Sequence, residues 1–162
     1  MRKPLGLIVA ALLAVGVTAS IALAAVNVKS YPTATFSGAS VTLTGGNFSG
    51  LGSVPAVATL TAFGSATYTC TNQGGNASPG QNPVPAQGSS GPVGLGNADH
   101  NGRGTITTIT ATLQAPPTPS AQQVGCGGGG SNNWKVTLNT LGPATAANLT
   151  ITQDTTVVFC RN

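Results

Sequence analysis

The chain contains no glutamate. Its 162 residues carry two carboxylates, Asp99 and Asp154, six lysines and arginines, and a single histidine, His100. Charged residues make up 5% of the chain, against roughly 25% in an ordinary soluble domain. Each shortage excludes a class of chemistry. A glycosidase needs two carboxylates facing each other across a bond, and only Asp99 and Asp154 are present to supply them. A Ser-His-Asp triad would have to use His100, and no G-x-S-x-G elbow accompanies it. The polar sequence around His100 reads instead as a solvated turn, and no catalytic residue is assigned. Asp154 reads as a turn residue in the last hairpin.

Metal and nucleotide sites fare no better. Three cysteines and one histidine without a C-x-x-C spacing do not make a zinc site. Asn97, Asp99 and Asn101 alternate as calcium ligands do, but with one carboxylate among them. The run from Gly125 to Gly130 matches G-x-G-x-x-G, yet no helix signal follows it. No metal and no cofactor is expected. The formal charge is +4, but the cations are scattered. A nucleic-acid footprint needs them clustered, so nucleic acid is not an expected partner.

What is present is threonine, at 23 residues, with 23 glycines, 11 prolines and a hydrophobic share of 40%. Disorder pairs low hydrophobicity with high net charge, and this chain has neither. Its first residues read as an export signal. Met1-Arg2-Lys3-Pro4 is a basic start, residues 5–19 are almost wholly apolar, and Ala22-Leu23-Ala24 is a small-x-small cleavage site. Residues 1–25 are therefore expected to be a secretory signal peptide, and residues 26–162 one domain. A retained anchor is the alternative, since residues 5–26 are long enough to span a bilayer. With cleavage, no membrane association is expected. The mature chain then keeps Lys29, Arg103, Lys135 and Arg161 against two aspartates, a formal +2.

In the mature chain β-branched and apolar residues alternate with threonine or alanine, the mark of half-buried strands. Strands are expected at 26–31, 40–44, 57–63, 66–71, 105–113, 134–140, 148–152 and 155–160. Gly64-Ser65 is read as a tight hairpin turn or a bulge in one long strand. Residues 144–147 are the one helix-tolerant stretch and are too short to form one. Residues 72–104 and 115–133 are rich in Gly, Pro, Asn and Gln and read as two long, flexible loops. Seven or eight short strands suggest an all-β, antiparallel sandwich of immunoglobulin-like type.

Cys70, Cys126 and Cys160 would meet an oxidising compartment after export, where an odd count leaves one thiol over. Cys70–Cys126 is favoured, because Cys70 ends a strand and Cys126 ends a loop just before the Trp134 strand. Cys160, two residues from the end, is free, pairs between molecules, or replaces Cys126 as the partner of Cys70. Tyr31, Tyr68 and Trp134 read as sheet or core aromatics, with a sugar-binding platform as the alternative.

Two segments carry a resemblance. Cys70-Thr71-Asn72-Gln73-Gly74-Gly75-Asn76 runs into Pro79-Gly80-Gln81-Asn82-Pro83, and later Gly125-Cys126 precedes Trp134 and a Thr/Val-rich hairpin. This C-x-N-x-G-G-N to P-G-Q-N-P pattern resembles small secreted Thr/Gly-rich proteins of actinobacterial type. The likeness covers most of residues 46–159. It departs after Cys126, where four glycines stand in place of the usual proline. The resemblance implies export, a β-domain and a Cys70–Cys126 pairing, and it implies no activity.

The expected function is thus that of a secreted, non-enzymatic β-domain, outside the cell or at its surface. Two alternatives stand beside it. One is a self-assembling fibre or coat subunit, because Thr-rich strand edges without guarding Lys or Glu invite strand addition. The other is a carbohydrate-binding module or an enzyme with an unrecognised site.

Overall fold

The computed structural model describes residues 26–51, 55–95, 102–127 and 133–162. The expected signal peptide at 1–25, Asp99, His100 and most of the glycine run after Cys126 lie outside these residues. The described chain is all-β and antiparallel, with no α-helix. Twelve strands appear in chain order: β1 (Asn27–Ser30), β2 (Thr33–Ser37), β3 (Ser40–Thr44), β4 (Asn47–Ser49), β5 (Ala56–Thr71), β6 (Ala77–Pro79), β7 (Val84–Ser89), β8 (Val93–Gly94), β9 (Gly104–Thr105), β10 (Thr108–Thr112), β11 (Lys135–Gln153) and β12 (Thr156–Arg161).

They form three sheets. The largest runs β12-β11-β5, with β6, β7 and β8 along the far side of β5. The second is β10-β3-β2 and the third β1-β4-β9. The first two sheets share one apolar core in a sandwich-like arrangement. Val41, Leu43, Ile109 and Ala111 enter it from β3 and β10, and Ala58, Leu60, Ala62 and Ile151 from β5 and β11. Phe48 joins from the third sheet and meets Phe159 edge-on at 5.5 Å between ring centres. The antiparallel sandwich expectation holds. The immunoglobulin-like connectivity does not follow from it: that topology uses seven to nine strands in two sheets, and the described residues lay twelve in three.

The central device is the ribbon of β5 and β11, 16 and 19 residues long. Even-numbered residues of β5 point inward along its length, as the strand period of two requires. Ala56 to Ala62 face the main core, and Ala66, Tyr68 and Cys70 face a second, smaller one. Gly64-Ser65 is therefore no hairpin turn; of the two sequence readings, the single long strand is the observed one. Gly64 leaves no room for a side chain. A Cβ there would stand 2.5 Å from Leu113 Cδ1 and 2.6 Å from the Pro143 carbonyl oxygen. Opposite it, β11 shifts register three times between Leu138 and Ala146. Pro143 is tolerated inside a strand because it falls in that irregular stretch.

As expected, residues 144–147 form no helix, and one further expectation, the loop at 72–104, is corrected. Residues 144–147 are strand, since pairing with β5 outweighs their weak helical tolerance. Residues 72–104, read as a flexible loop, contain β6, β7 and β8, all paired to β5. Pro79 and Pro85 lie in short strands on the outer side of β5, where a missing N–H does least harm.

Candidate functional site

The alternation of β3 and β10 buries Val41, Leu43, Ile109 and Ala111 and turns every other residue outward. Those outward residues are all hydroxylic. In β2 the same alternation sends Ala34 and Phe36 toward the interior and Thr33, Thr35 and Ser37 outward. The antiparallel register then aligns the three strands. Thr33, Thr44 and Thr108 form one row, Thr35, Thr42 and Thr110 the next, and Ser37, Ser40 and Thr112 the third. The outer face of this sheet is thus a three-by-three array of seven threonines and two serines.

Neither pairing in the array contains a register shift. Neighbours within a row lie about 4.8 Å apart from strand to strand, and successive rows lie about 6.7 Å apart along the strands. Hydroxyls of neighbouring strands bond to each other at Ser40–Thr112, 2.8 Å, and Thr42–Thr110, 2.9 Å. Each such bond uses one proton and leaves the other hydroxyl's proton free to donate elsewhere. Thr108, at a corner, instead donates to the carbonyl of Thr107 at 2.8 Å. The face bears no charged and no aromatic side chain.

The outer face of the β5–β11 ribbon offers a contrast. Thr67 and Thr140 bond there at 2.8 Å, but Val57, Phe63 and Lys135 interrupt the hydroxyls and the register shifts three times. Threonine is common on both sheets, while an outward face made wholly of hydroxyl residues is found on β2, β3 and β10.

Behind β2, between the two sheets, opens an apolar cleft of about 370 Å³. Ala34, Phe36 and Leu43 of the β2-β3-β10 sheet and Ala146, Ala147 and Leu149 of β11 line it, with Arg161 beside them. The Arg161 guanidinium lies 4.0 Å from the ring centre of Tyr31, a cation–π contact. β2 is an edge strand, exposed along all five residues.

The residues singled out from sequence take varied places. Cys70 and Cys126 are joined, with 5.7 Å between their Cα atoms. The bond lies in the smaller core with Ala66, Tyr68, Ala121 and Val124. Trp134 packs half-buried against that cluster, its ring over Gly127. Cys160 is a free, exposed thiol, 3.5 Å from Asn148 Oδ1. Tyr68 is buried and donates to the Pro116 carbonyl at 3.4 Å, whereas Tyr31 is exposed under Arg161. The three aromatics therefore do not assemble one surface platform. Asp154 occupies the β11–β12 turn with φ 52°. Among the described residues no three His, Cys, Asp or Glu side chains gather as metal ligands, and no helix is long and apolar enough to cross a membrane.

Comparison with protein-family models, curated proteins and solved structures gives no match to this chain.

Proposed function

We propose that the chain is an exported, non-enzymatic domain that works by surface contact, and that its contact surface is the hydroxyl face of β2, β3 and β10. The carrying observation is the unbroken three-by-three register of that face. Nine outward hydroxyl side chains in three aligned rows form an uncharged and repeating surface. Such a surface suits a partner that itself repeats. The Cys70–Cys126 bond fits an oxidising compartment, in line with the leader-like first residues.

The test is adsorption of the purified chain to a panel of solids: ice, crystalline cellulose, chitin and a charged mineral. Thr110→Lys places a long charged chain on the face and is expected to weaken adsorption to whichever solid binds. Thr137→Lys, on the outer face of β11, is the matched control and leaves it unchanged. Equal behaviour of the two variants on every solid overturns the reading.

A second reading is favoured by the β2 edge. It is exposed and uncharged, and Phe36 beside it is 46% exposed at the mouth of the apolar cleft. A second copy adding a strand there would cover both features. Sedimentation over a range of concentrations tests this. Concentration-dependent association that Phe36→Lys removes supports it, and a monomer throughout refutes it.

A further inference from the structure

We infer that the partner of the β2-β3-β10 face is crystalline water: the array is an ice-binding surface. The inference rests on the reading that this face is the contact surface, and it names the ligand.

The argument begins with what a hydroxyl can distinguish. One protein–water hydrogen bond is worth little more than the water–water bond it replaces. A lone threonine therefore cannot tell ice from liquid. Discrimination requires many groups held at once in positions that a lattice fills and a liquid does not. The face supplies such positions. It spans about 10 Å across the strands and about 13 Å along them, with both repeats fixed by the sheet itself. Repeats of a few ångströms along two directions are the scale at which oxygen atoms recur on crystal faces of ice.

The side chains match this demand. Threonine is stiff about χ1, because two heavy atoms branch from its Cβ. Its hydroxyl and methyl positions are therefore largely set by the backbone before any contact. The Ser40–Thr112 and Thr42–Thr110 bonds restrict four of the nine side chains further. Little rotamer freedom remains to be lost on binding, which is where a preordered surface gains affinity. Each threonine offers a hydroxyl to join the lattice and a methyl beside it that disfavours disordered water.

What the face omits narrows the ligand. Carbohydrate platforms stack sugar rings on aromatic side chains, and Tyr31, Tyr68 and Trp134 all lie elsewhere. A charged mineral would be held by charged side chains, and the nine positions contain none. The corresponding face of β5 and β11 is also Thr-rich, but the register shifts between Leu138 and Ala146 divide it, and Val57, Phe63 and Lys135 interrupt its hydroxyls. Composition is shared by the two faces, and the lattice-like order is found on β2, β3 and β10.

The experiment uses the mature, oxidised chain in slowly growing ice, measuring the fraction incorporated against an inert protein of similar mass. The wild-type chain is expected to enter the ice. Thr110→Lys and Thr35→Lys, each with an unchanged melting curve, are expected to lower incorporation by about tenfold, equivalent to about 1.4 kcal/mol. Thr137→Lys is expected to match wild type. Exclusion of the wild-type chain from ice overturns the inference. If the chain then binds cellulose or chitin and Thr110→Lys abolishes that, the contact-surface reading survives with a polysaccharide as partner. If Thr110→Lys changes binding to no solid, both fail. Incorporation that survives Thr110→Lys and Thr35→Lys also overturns the inference, because it places ice binding on another face.

Discussion

A Cβ added to Gly88 would fall on the carbonyl oxygen of Thr112, and it would stand 3.0 Å from the Cα of Leu113. Gly88 belongs to β7 in the large sheet, and Thr112 ends β10 in the hydroxyl-bearing one. The two sheets therefore meet backbone to backbone at this point. The Gln114 N–H donates to the Gln87 carbonyl at 3.1 Å beside it. From the other side, the N–H of Leu113 donates to the Ala39 carbonyl and that of Ala144 to the Gly38 carbonyl, both at 2.8 Å. The Gln114–Gln87 and Ala144–Gly38 bonds fix one end of the β2-β3-β10 sheet against the large sheet.

Gly88→Ala is accordingly expected to destabilise the fold by about 1–3 kcal/mol, the usual range for overpacking. Gly94→Ala is the control, because a Cβ there meets nothing within 4 Å. It should stay within about 0.5 kcal/mol of wild type, as surface changes do. Denaturant unfolding of the two variants checks this.

The disulfide is expected to contribute up to about 4 kcal/mol by restricting the unfolded chain, for a loop closed across a sequence separation of 56 residues. Its double replacement, Cys70→Ala with Cys126→Ala, should lower the denaturant midpoint by the corresponding amount. The effect should concentrate in the smaller core. Amide exchange around Tyr68 and Val124 is then faster, while Leu60 and Ile151 in the main core change less.

The thiol count should be equally specific. Alkylation of the native, oxidised protein is expected to modify Cys160 alone, and alkylation after reduction and unfolding to modify all three cysteines. Intact-mass measurement reads both states.

Asp154 holds a left-handed backbone conformation, φ 52°, in the β11–β12 turn. Aspartate tolerates this region better than most residues, and glycine adopts it freely. Asp154→Gly is expected to stabilise by up to about 1 kcal/mol, and a β-branched residue such as Val to destabilise by about 1–2 kcal/mol. Thermal unfolding of both variants gives the sign.

Much of the strand pattern was legible where alternation is local. Ser-Val-Thr-Leu-Thr at 40–44 is strand as expected, and so is the hairpin around Asp154. Elsewhere a distant partner decides. Gly64-Ser65 carries a turn signal, but β11 pairs across it and keeps β5 extended. Proline and glycine in 72–104 suggested a loop, yet the edge of β5 accepts short strands there. The hydroxyl array depends on β10 aligning with β3 across more than 60 residues of sequence, as in the Thr42–Thr110 bond. A single strand shows only that threonine alternates with apolar residues. Which threonines share a row is a property of the register.

The most direct test of the account is a scan of the nine face positions, each replaced singly by lysine, with ice incorporation measured for every variant that keeps the wild-type melting curve. A surface that acts as a lattice predicts a graded map. Loss should be greatest at Thr42, in the middle of the middle row, and smallest at Thr108, a corner residue whose hydroxyl is already committed to Thr107. Equal losses from Thr59→Lys and Thr61→Lys on the outer face of β5, or no difference between Thr42 and Thr108, would contradict it.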